Sequence, residues 1–163
     1  MEKLCFLFGH SDTTEEILPL LRQEIELHYR QYGIRRFVVG QYGSFDRLAA
    51  FALGQVKQQL QDLSLQLLLA YHPAERQFAL PPNFDGSFYP DGMERVPRRL
   101  AIVRANHAML RQADSIICYV RASGNTRKLL DYARKHIPLI SNLADQSPSP
   151  LPARTASKSS SIS

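Results

Sequence analysis

Short apolar segments alternate with longer segments of helical periodicity along most of this chain. The apolar segments lie at 3–8, 36–39, 65–70, 115–120 and 137–140, and each has the length of a strand. Between most of them, apolar side chains recur every three or four residues, which is typical of an amphipathic helix that buries one face. Strands that are apolar on both faces and alternate with such helices predict a parallel sheet with helices on both sides.

The helices predicted from this periodicity span 12–32, 44–60, 98–112 and 126–136. Asp12 or Ser11 can cap the first of them, and Gly33 ends it. Right-handed crossovers between parallel strands leave few ways to connect these elements. We therefore predict an α/β fold of the Rossmann-like, three-layer α/β/α type, with about five parallel strands in the order 3-2-1-4-5.

The segment 71–97 interrupts the alternation, with prolines at 73, 81, 82, 90 and 97. A loop of this length in a compact domain is usually functional or mobile. A second change follows Leu143, because residues 144–163 are rich in Ser and Pro and have little that could cover a core. We predict one domain over 1–143 and a disordered tail over 144–163.

The length of 163 residues allows an adequate core without disulfides or metals. The two cysteines, Cys5 and Cys118, lie in separate apolar segments, so we expect buried, reduced thiols. No apolar stretch approaches the ~18 residues of a membrane span, and the N-terminus does not have the pattern of a signal peptide. These features predict a cytoplasmic protein without membrane contact and without a metal or other cofactor.

The net charge of +5 can attract an anion. The basic residues form short pairs such as Arg35-Arg36 and Arg98-Arg99, which acidic residues separate, rather than one dense stripe. This distribution argues against nucleic acid as the partner and favours a small, nucleotide-like anion. The fold class is also compatible with self-association through helices, although no pattern identifies a surface for it.

Three turns with small or hydroxyl residues follow predicted strands. They are 9–12 after the first strand, 40–44 after the second and 121–126 after the fourth. Ligands of open parallel sheets bind beyond the carboxyl ends of the strands, where the strand order reverses. Small turn residues let backbone N–H groups approach an anion, and a helix start adds favourable charge. The convergence of these turns predicts a phosphate-binding site, although neither a G-x-G-x-x-G nor a Walker A motif is present.

A set of motifs within residues 1–143 resembles the SLOG superfamily, which includes the DprA proteins and the Lonely-guy phosphoribohydrolases. The closer resemblance is to its small bacterial branch of unknown function. The motifs that carry it are Phe8-Gly9-His10, Gly40-Gln41-Tyr42-Gly43-Ser44-Phe45-Asp46, Phe84-Asp85, Tyr89-Pro90, Glu94, Asn106, Gly124 and Asn142-Leu143. The resemblance implies a Rossmann-like domain that binds a nucleotide or a nucleotide-derived ligand.

One departure from the family bears on catalysis. Lonely-guy relatives cleave the N-glycosidic bond of nucleoside monophosphates with a Glu in the helix that follows their glycine-rich motif. In this chain Arg127-Lys128 follows Gly124-Asn125-Thr126, and no acid precedes Asp131. Because glycosidic cleavage needs a carboxylate near the ribose, the resemblance implies binding more directly than catalysis.

Several side chains could bind such a ligand or act on it. His10 could serve as a general base, or it could be a turn histidine that bonds the backbone or the ligand. Asp46 could bind a ribose or base or serve the helix N-terminus. Glu94 is the remaining candidate for a catalytic carboxylate, unless it pairs with an arginine such as Arg98. The predicted ligand-binding residues are Gly9, His10, Gly40, Gln41, Gly43, Asp46, Asn106, Ser123, Gly124, Asn125 and Thr126.

Three functions are compatible with these observations. The first is a domain that binds or senses a nucleotide or nucleotide-derived ligand, and the missing helix acid favours it. The second is a phosphoribohydrolase-like enzyme in which Glu94 or Asp46 replaces that acid. The third is DprA-like nucleic-acid binding, which the absence of an aromatic and basic stripe disfavours.

Overall fold

Six parallel strands form one sheet in the computed structural model of the protein, which describes residues 2–146. The strands are Leu4–Gly9 (β1), Arg36–Val39 (β2), Ser64–Leu68 (β3), Gly86–Phe88 (β4), Ser115–Tyr119 (β5) and Leu139–Asn142 (β6). Their order across the sheet is β4-β3-β2-β1-β5-β6, and every neighbouring pair is parallel. The predicted α/β fold and the order of its strands are confirmed, with one additional strand at the β3 edge.

Helices cover the sheet on both faces. They are Leu18–Tyr32 (α1), Ser44–Gln59 (α2), Ala101–Leu110 (α3), Asn125–His136 (α4) and the single turn Leu143–Gln146 (α5). Apolar residues of α1 and α2 form one core with one face of the sheet, and those of α3 and α4 form a second core with the other face. This three-layer arrangement places the starts of α2 and α4 at the same edge of the sheet, because each follows the carboxyl end of a strand.

The additional strand lies inside the segment expected to be a loop. β4 has only three residues, which is too short to show a periodicity. Hydrogen bonds at both of its ends hold it in register. They run from Leu69 N–H to Phe88 O at 2.8 Å, from Leu65 N–H to the Asp85 carboxylate at 2.8 Å and from Asp85 N–H to Leu65 O at 2.9 Å. The segment 71–97 is therefore partly built into the sheet.

The first helix starts later than expected. A 3₁₀ turn at Glu15–Ile17 leads into α1 at Leu18, and no side chain caps either start, so the predicted cap by Asp12 or Ser11 is wrong. The preceding residues form a separate turn instead, in which the Thr13 hydroxyl donates to His10 O at 2.8 Å. Gly33 ends α1 as predicted, in the left-handed conformation with φ of 72°.

Smaller differences occur at other boundaries. The predicted helix at 98–112 begins as a 3₁₀ turn and is α-helical only in α3, while the last strand starts after Pro138 rather than at 137. Residues 144–146 belong to α5, and the rest of the predicted tail, 147–163, lies outside the described residues.

Both cysteines are free and buried, as predicted. Burial raises the pKa of each thiol to about 12, so both are neutral and unreactive at physiological pH. None of the helices in residues 2–146 combines the length and hydrophobicity needed to cross a membrane.

Candidate ligand-binding site

A cavity of about 180 Å³ lies at the carboxyl edge of the sheet. It is bounded by the end of β1, the turn between β2 and α2, one face of α3 and the first turn of α4. This is where the strand order reverses, because the chain continues from β1 to β2 on one side and later returns to place β5 on the other. The cavity therefore occupies the position at which open parallel sheets bind ligands.

Some of the predicted ligand-binding residues line this cavity and others do not. Those in the lining are Gly9, Gly40, Asp46, Asn106, Asn125 and Thr126. Outside the lining, but in the same turns, are His10, Gln41, Gly43, Ser123 and Gly124. The structure thus brings the three predicted turns to one place.

Glu94 is not brought into this site. It is exposed in the 3₁₀ turn Met93–Arg95 and is absent from the cavity lining. The suggested pairing of Glu94 with Arg98 is also wrong, because the Arg98 guanidinium bonds the Glu75 carboxylate instead.

Two glycines allow the turns after β1 and β2 to pack closely. A Cβ atom at Gly9 would lie 2.5 Å from the Phe45 ring, and one at Gly43 would lie 2.9 Å from Ser11 Cα. A real Cβ atom does not fit at such distances without a shift of its neighbours. The Ser44 N–H donates across the same junction to Ser11 O at 3.1 Å.

Both α2 and α4 start at a glycine, Gly43 and Gly124, and no side chain caps either helix. At α2, Asp46 reaches back and accepts the Tyr42 N–H at 2.9 Å. At α4, Gly124 occupies the cap position with φ of 128°, a left-handed conformation that favours glycine, and no side chain caps the helix. The first helical bond there joins Lys128 N–H to Gly124 O at 3.0 Å. The N–H groups of Asn125 and Thr126, which line the cavity, precede this bond and belong to the positive end of the helix dipole.

Asp46 contributes a carboxylate to the lining of the cavity. It is partly buried, and among residues 2–146 no other acidic side chain contributes to the lining. Burial raises its pKa to about 6, an effect that the bond from Tyr42 N–H and the charge of Arg47 partly offset. Asp46 therefore changes its charge close to neutral pH, unlike an ordinary aspartate.

The α3 face supplies an amide, an imidazole and apolar surface. Asn106 and His107 line the cavity one turn after Ile102 and Val103, which is the spacing of a single helix face. Burial lowers the pKa of His107, and the nearby Arg111 and Arg104 lower it further. Its ring lies edge-on to Tyr132 with 5.1 Å between centroids, which links α3 to α4.

His10 bonds the backbone of the opposite turn instead of lining the cavity. Its Nε2 accepts the Arg121 N–H at 2.8 Å and the Ala122 N–H at 3.3 Å. Burial lowers the pKa of the imidazole, Arg121 and Arg127 lower it further, and Asp12 opposes them. Of the two roles considered for His10, the geometry is that of a residue that holds a turn.

Sequence reasoning did not identify several residues of the lining. Tyr42 lines the cavity and its hydroxyl accepts the Ala70 N–H at 2.8 Å, which ties the β2 turn to the end of β3. Its position inside the predicted turn was a signal that could have marked it. The helical spacing of Ile102, Val103 and Asn106 could likewise have marked the α3 face. The remaining additions are Leu7, Phe8, Ser11, His107 and Leu129.

The part of the chain that the structure describes has no group of three or more His, Cys, Asp or Glu side chains that could hold a metal ion. No protein-family model matches the chain. No curated protein matches it in a sequence comparison either.

Proposed function

We propose that this chain is a SLOG-like domain that binds a nucleotide or nucleotide-derived ligand in the cavity at the carboxyl edge of the sheet. The observation that carries the proposal is the pairing of two features in one cavity. The start of α4, which no side chain caps, lines the cavity, and so does the partly buried carboxylate of Asp46. The first suits an anion, and the second suits the hydroxyl or amino groups of a neutral moiety.

The phosphate of the ligand belongs at the start of α4. The backbone N–H groups of Asn125 and Thr126 and the helix dipole both favour a negative charge there. Arg127 follows in the same turn and adds positive charge. A phosphate at the opposite side, beside Asp46, would face a carboxylate whenever the pH exceeds about 6.

The rest of the ligand lies between α2 and α3. The Asp46 carboxylate can accept hydrogen bonds from ribose hydroxyls, and the Asn106 amide can both donate to and accept from a base. Ile102, Val103 and Leu129 provide an apolar wall against which a base ring can pack. Polar groups at few points on an otherwise apolar surface are the usual composition of a small-molecule site.

The test is the thermal stability of the purified protein against a panel of nucleoside monophosphates, with release of free base followed in the same samples. A ligand at about 100 times its dissociation constant adds roughly 2.7 kcal/mol of stability. We expect a melting shift with at least one nucleotide and no release of base.

A charge placed in the cavity should locate the phosphate. Thr126→Glu puts a carboxylate where the phosphate is expected, and a glutamate in the first turn of a helix does not harm the fold. Gln23→Glu adds the same charge on the exposed face of α1 and is the control. We expect Thr126→Glu to abolish the melting shift and Gln23→Glu to retain it. Equal shifts in both variants would place the ligand elsewhere.

A second candidate function rests on the same Asp46 carboxylate. Cleavage of an N-glycosidic bond needs a carboxylate near the ribose, to stabilise the developing cation or to orient water. Asp46 faces the cavity, whereas Glu94 does not. In that case free base accumulates with the wild-type protein. Asp46→Asn stops the release but retains a melting shift.

A further inference from the structure

We propose that His10 is a positioning residue, which holds the turn between β5 and α4 in its anion-binding conformation only while its imidazole is neutral. The inference rests on the proposed function, because it concerns the turn that would present the phosphate-binding N–H groups. It adds a pH-dependent control of that site by a residue that does not touch the ligand.

The hydrogen bonds define the protonation state of the ring. Nε2 accepts two backbone N–H groups, from Arg121 and Ala122, at 2.8 and 3.3 Å. An imidazole nitrogen can accept only through a free lone pair, so the proton of the neutral ring is on Nδ1. A second proton, on Nε2, would point at two other donors. Protonation of His10 therefore breaks both bonds and adds repulsion.

The turn has few other attachments. Just before it, Val120 is fixed on both sides by Asn142, through bonds of 3.0 and 3.1 Å. Within 121–124, His10 is the one described residue whose side chain is hydrogen-bonded to the backbone, and all four turn residues are exposed. Gly124 at the end of the turn sets the direction in which α4 starts. Loss of the His10 bonds should release the turn between these two points.

The charges around His10 come from each element that faces it. Asp12, two residues further along the same turn, favours the protonated ring, while Arg121 in the opposite turn and Arg127 in α4 oppose it. Tyr119 lies edge-on to the imidazole, with 6.4 Å between ring centroids. Burial acts in the same direction as the arginines, so the pKa lies below the ordinary value of 6.5. The turn is held at neutral pH and is released on acidification.

The sign of the pH dependence separates this role from direct contact. If His10 only positions the turn, affinity for a phosphate falls when the ring becomes protonated. If His10 binds the phosphate itself, a positive ring strengthens the contact and affinity rises instead. The two roles therefore predict opposite slopes below pH 6.5.

The experiment compares two substitutions with adenosine 5′-monophosphate as the probe. In His10→Gln the amide oxygen can accept the same N–H groups and cannot titrate, whereas His10→Ala removes the acceptor. Near pH 7.5 we expect the wild type and His10→Gln to bind alike, with His10→Ala about tenfold weaker. At a pH low enough to protonate His10, the wild type should also bind more weakly than His10→Gln, and its loss should approach that of His10→Ala. Because the variants are compared at the same pH, protonation of the phosphate and of Asp46 affects all of them alike.

A matched control uses another histidine that accepts a backbone donor. His72 Nδ1 accepts the Ala74 N–H at 3.0 Å, in an exposed turn outside the cavity lining. His72→Asn should keep the wild-type pH dependence. A His10→Gln variant with the same pH dependence as the wild type would overturn the proposal. A wild-type affinity that rises relative to His10→Gln on acidification would overturn it as well.

A measurement without ligand separates this inference from the proposed function. Backbone amide resonances of Arg121 and Ala122 should titrate with a midpoint below pH 6.5 in the wild type and stay constant in His10→Gln. Titration of these amides without binding of any nucleotide would leave the turn mechanism in place and refute the proposed function. Nucleotide binding with amides that do not titrate would refute the positioning role alone.

Discussion

Two histidines stand at the centre of hydrogen-bond networks in this protein, and the networks differ in how completely they are closed. His28 of α1 is fully buried, and both ring nitrogens are bonded, Nδ1 to Ser115 Oγ at 3.0 Å and Nε2 to Ser141 Oγ at 3.1 Å. His10 bonds through Nε2 alone, in a partly exposed turn. One network joins α1 to the strands β5 and β6, and the other joins two turns at the cavity.

The hydrogen atoms of the buried network can be assigned from its end. The Ser141 hydroxyl donates to Glu24 Oε2 at 2.6 Å, so it must accept from His28 Nε2. For a neutral ring, Nδ1 then accepts from the Ser115 hydroxyl. Each donor of this network, from Ser115 to Ser141, then has an acceptor, and the network ends at the Glu24 carboxylate.

The comparison shows what distinguishes a structural polar cluster from a candidate site. A buried polar group costs free energy unless it is bonded, so a closed network in the core indicates stability and a fixed register. At the carboxyl edge, no side chain caps the start of α4, and Asp46 has a raised pKa beside the cavity. A ligand in the cavity can form hydrogen bonds with the polar groups at this edge, whereas a closed network offers it none.

The largest effect is expected from opening the buried network. His28→Ala removes a packed ring and the two hydrogen bonds of the imidazole to the Ser115 and Ser141 hydroxyls, so we expect a loss of about 3 kcal/mol in the free energy of unfolding. Urea denaturation measures it, and the exposed His72→Ala should change stability by less than about 0.5 kcal/mol. A loss below about 1 kcal/mol in His28→Ala would mean that the network does not stabilise the fold.

A smaller loss in the free energy of unfolding is expected from a substitution at Gly43, where the turns after β1 and β2 meet. In Gly43→Ala the new Cβ atom would lie 2.9 Å from Ser11 Cα, and the backbone there is extended, so the cost comes from packing. We expect about 1–3 kcal/mol of destabilisation together with weaker nucleotide binding. Gly86→Ala is the control, because no atom lies within 4 Å of the position of its Cβ. If both variants behave alike, the close approach of the turns is unimportant.

Removing the charge of Asp46 should raise the stability of the protein. Its folded pKa of about 6 exceeds the ordinary 3.8, so the folded state binds more protons between these values and ionisation costs stability above pH 6. Asp46→Asn should therefore stabilise the protein by about 1 kcal/mol near pH 7.5, less than the full pKa shift implies because the carboxylate faces an open cavity. The gain should vanish as the pH approaches 4.

The affinity of Asp46→Asn for a nucleotide should be lower than that of the wild type. An amide at position 46 accepts fewer hydrogen bonds than a carboxylate, so we expect weaker binding in spite of higher stability. Asp131→Asn removes a charge from the exposed face of α4 and should change neither property much. Unchanged binding in Asp46→Asn would separate this residue from the ligand.

The sequence predicted the layers of the fold because its signals are periodic and repeated. Strand order followed from crossover handedness, and Gly33 marked the end of α1 correctly. β4 was missed because three residues carry no periodicity, and its register depends on distant partners such as Asp85 and Leu65.

The sequence predicted which turns form the site, but not which of their side chains line the cavity. Gly9, Gly40 and Asp46 reach the lining, whereas His10 turns away to bond Arg121 and Ala122, which lie more than a hundred residues further along the chain. The direction of a turn side chain depends on the opposite turn, and no local pattern encodes it. The function predicted from these residues stays a prediction until a ligand is tested.

The smallest effect on stability is expected at Ser44, the first residue of α2. Its hydroxyl is buried and has no hydrogen-bond partner among the described residues. Ser44→Ala removes an unsatisfied group, so we expect a change within about 0.5 kcal/mol and of stabilising sign. A loss of more than 1 kcal/mol in urea denaturation would show that the hydroxyl is bonded in solution. If stability is unchanged but nucleotide binding weakens, the hydroxyl belongs with the open donors of the cavity edge rather than with the closed network around His28.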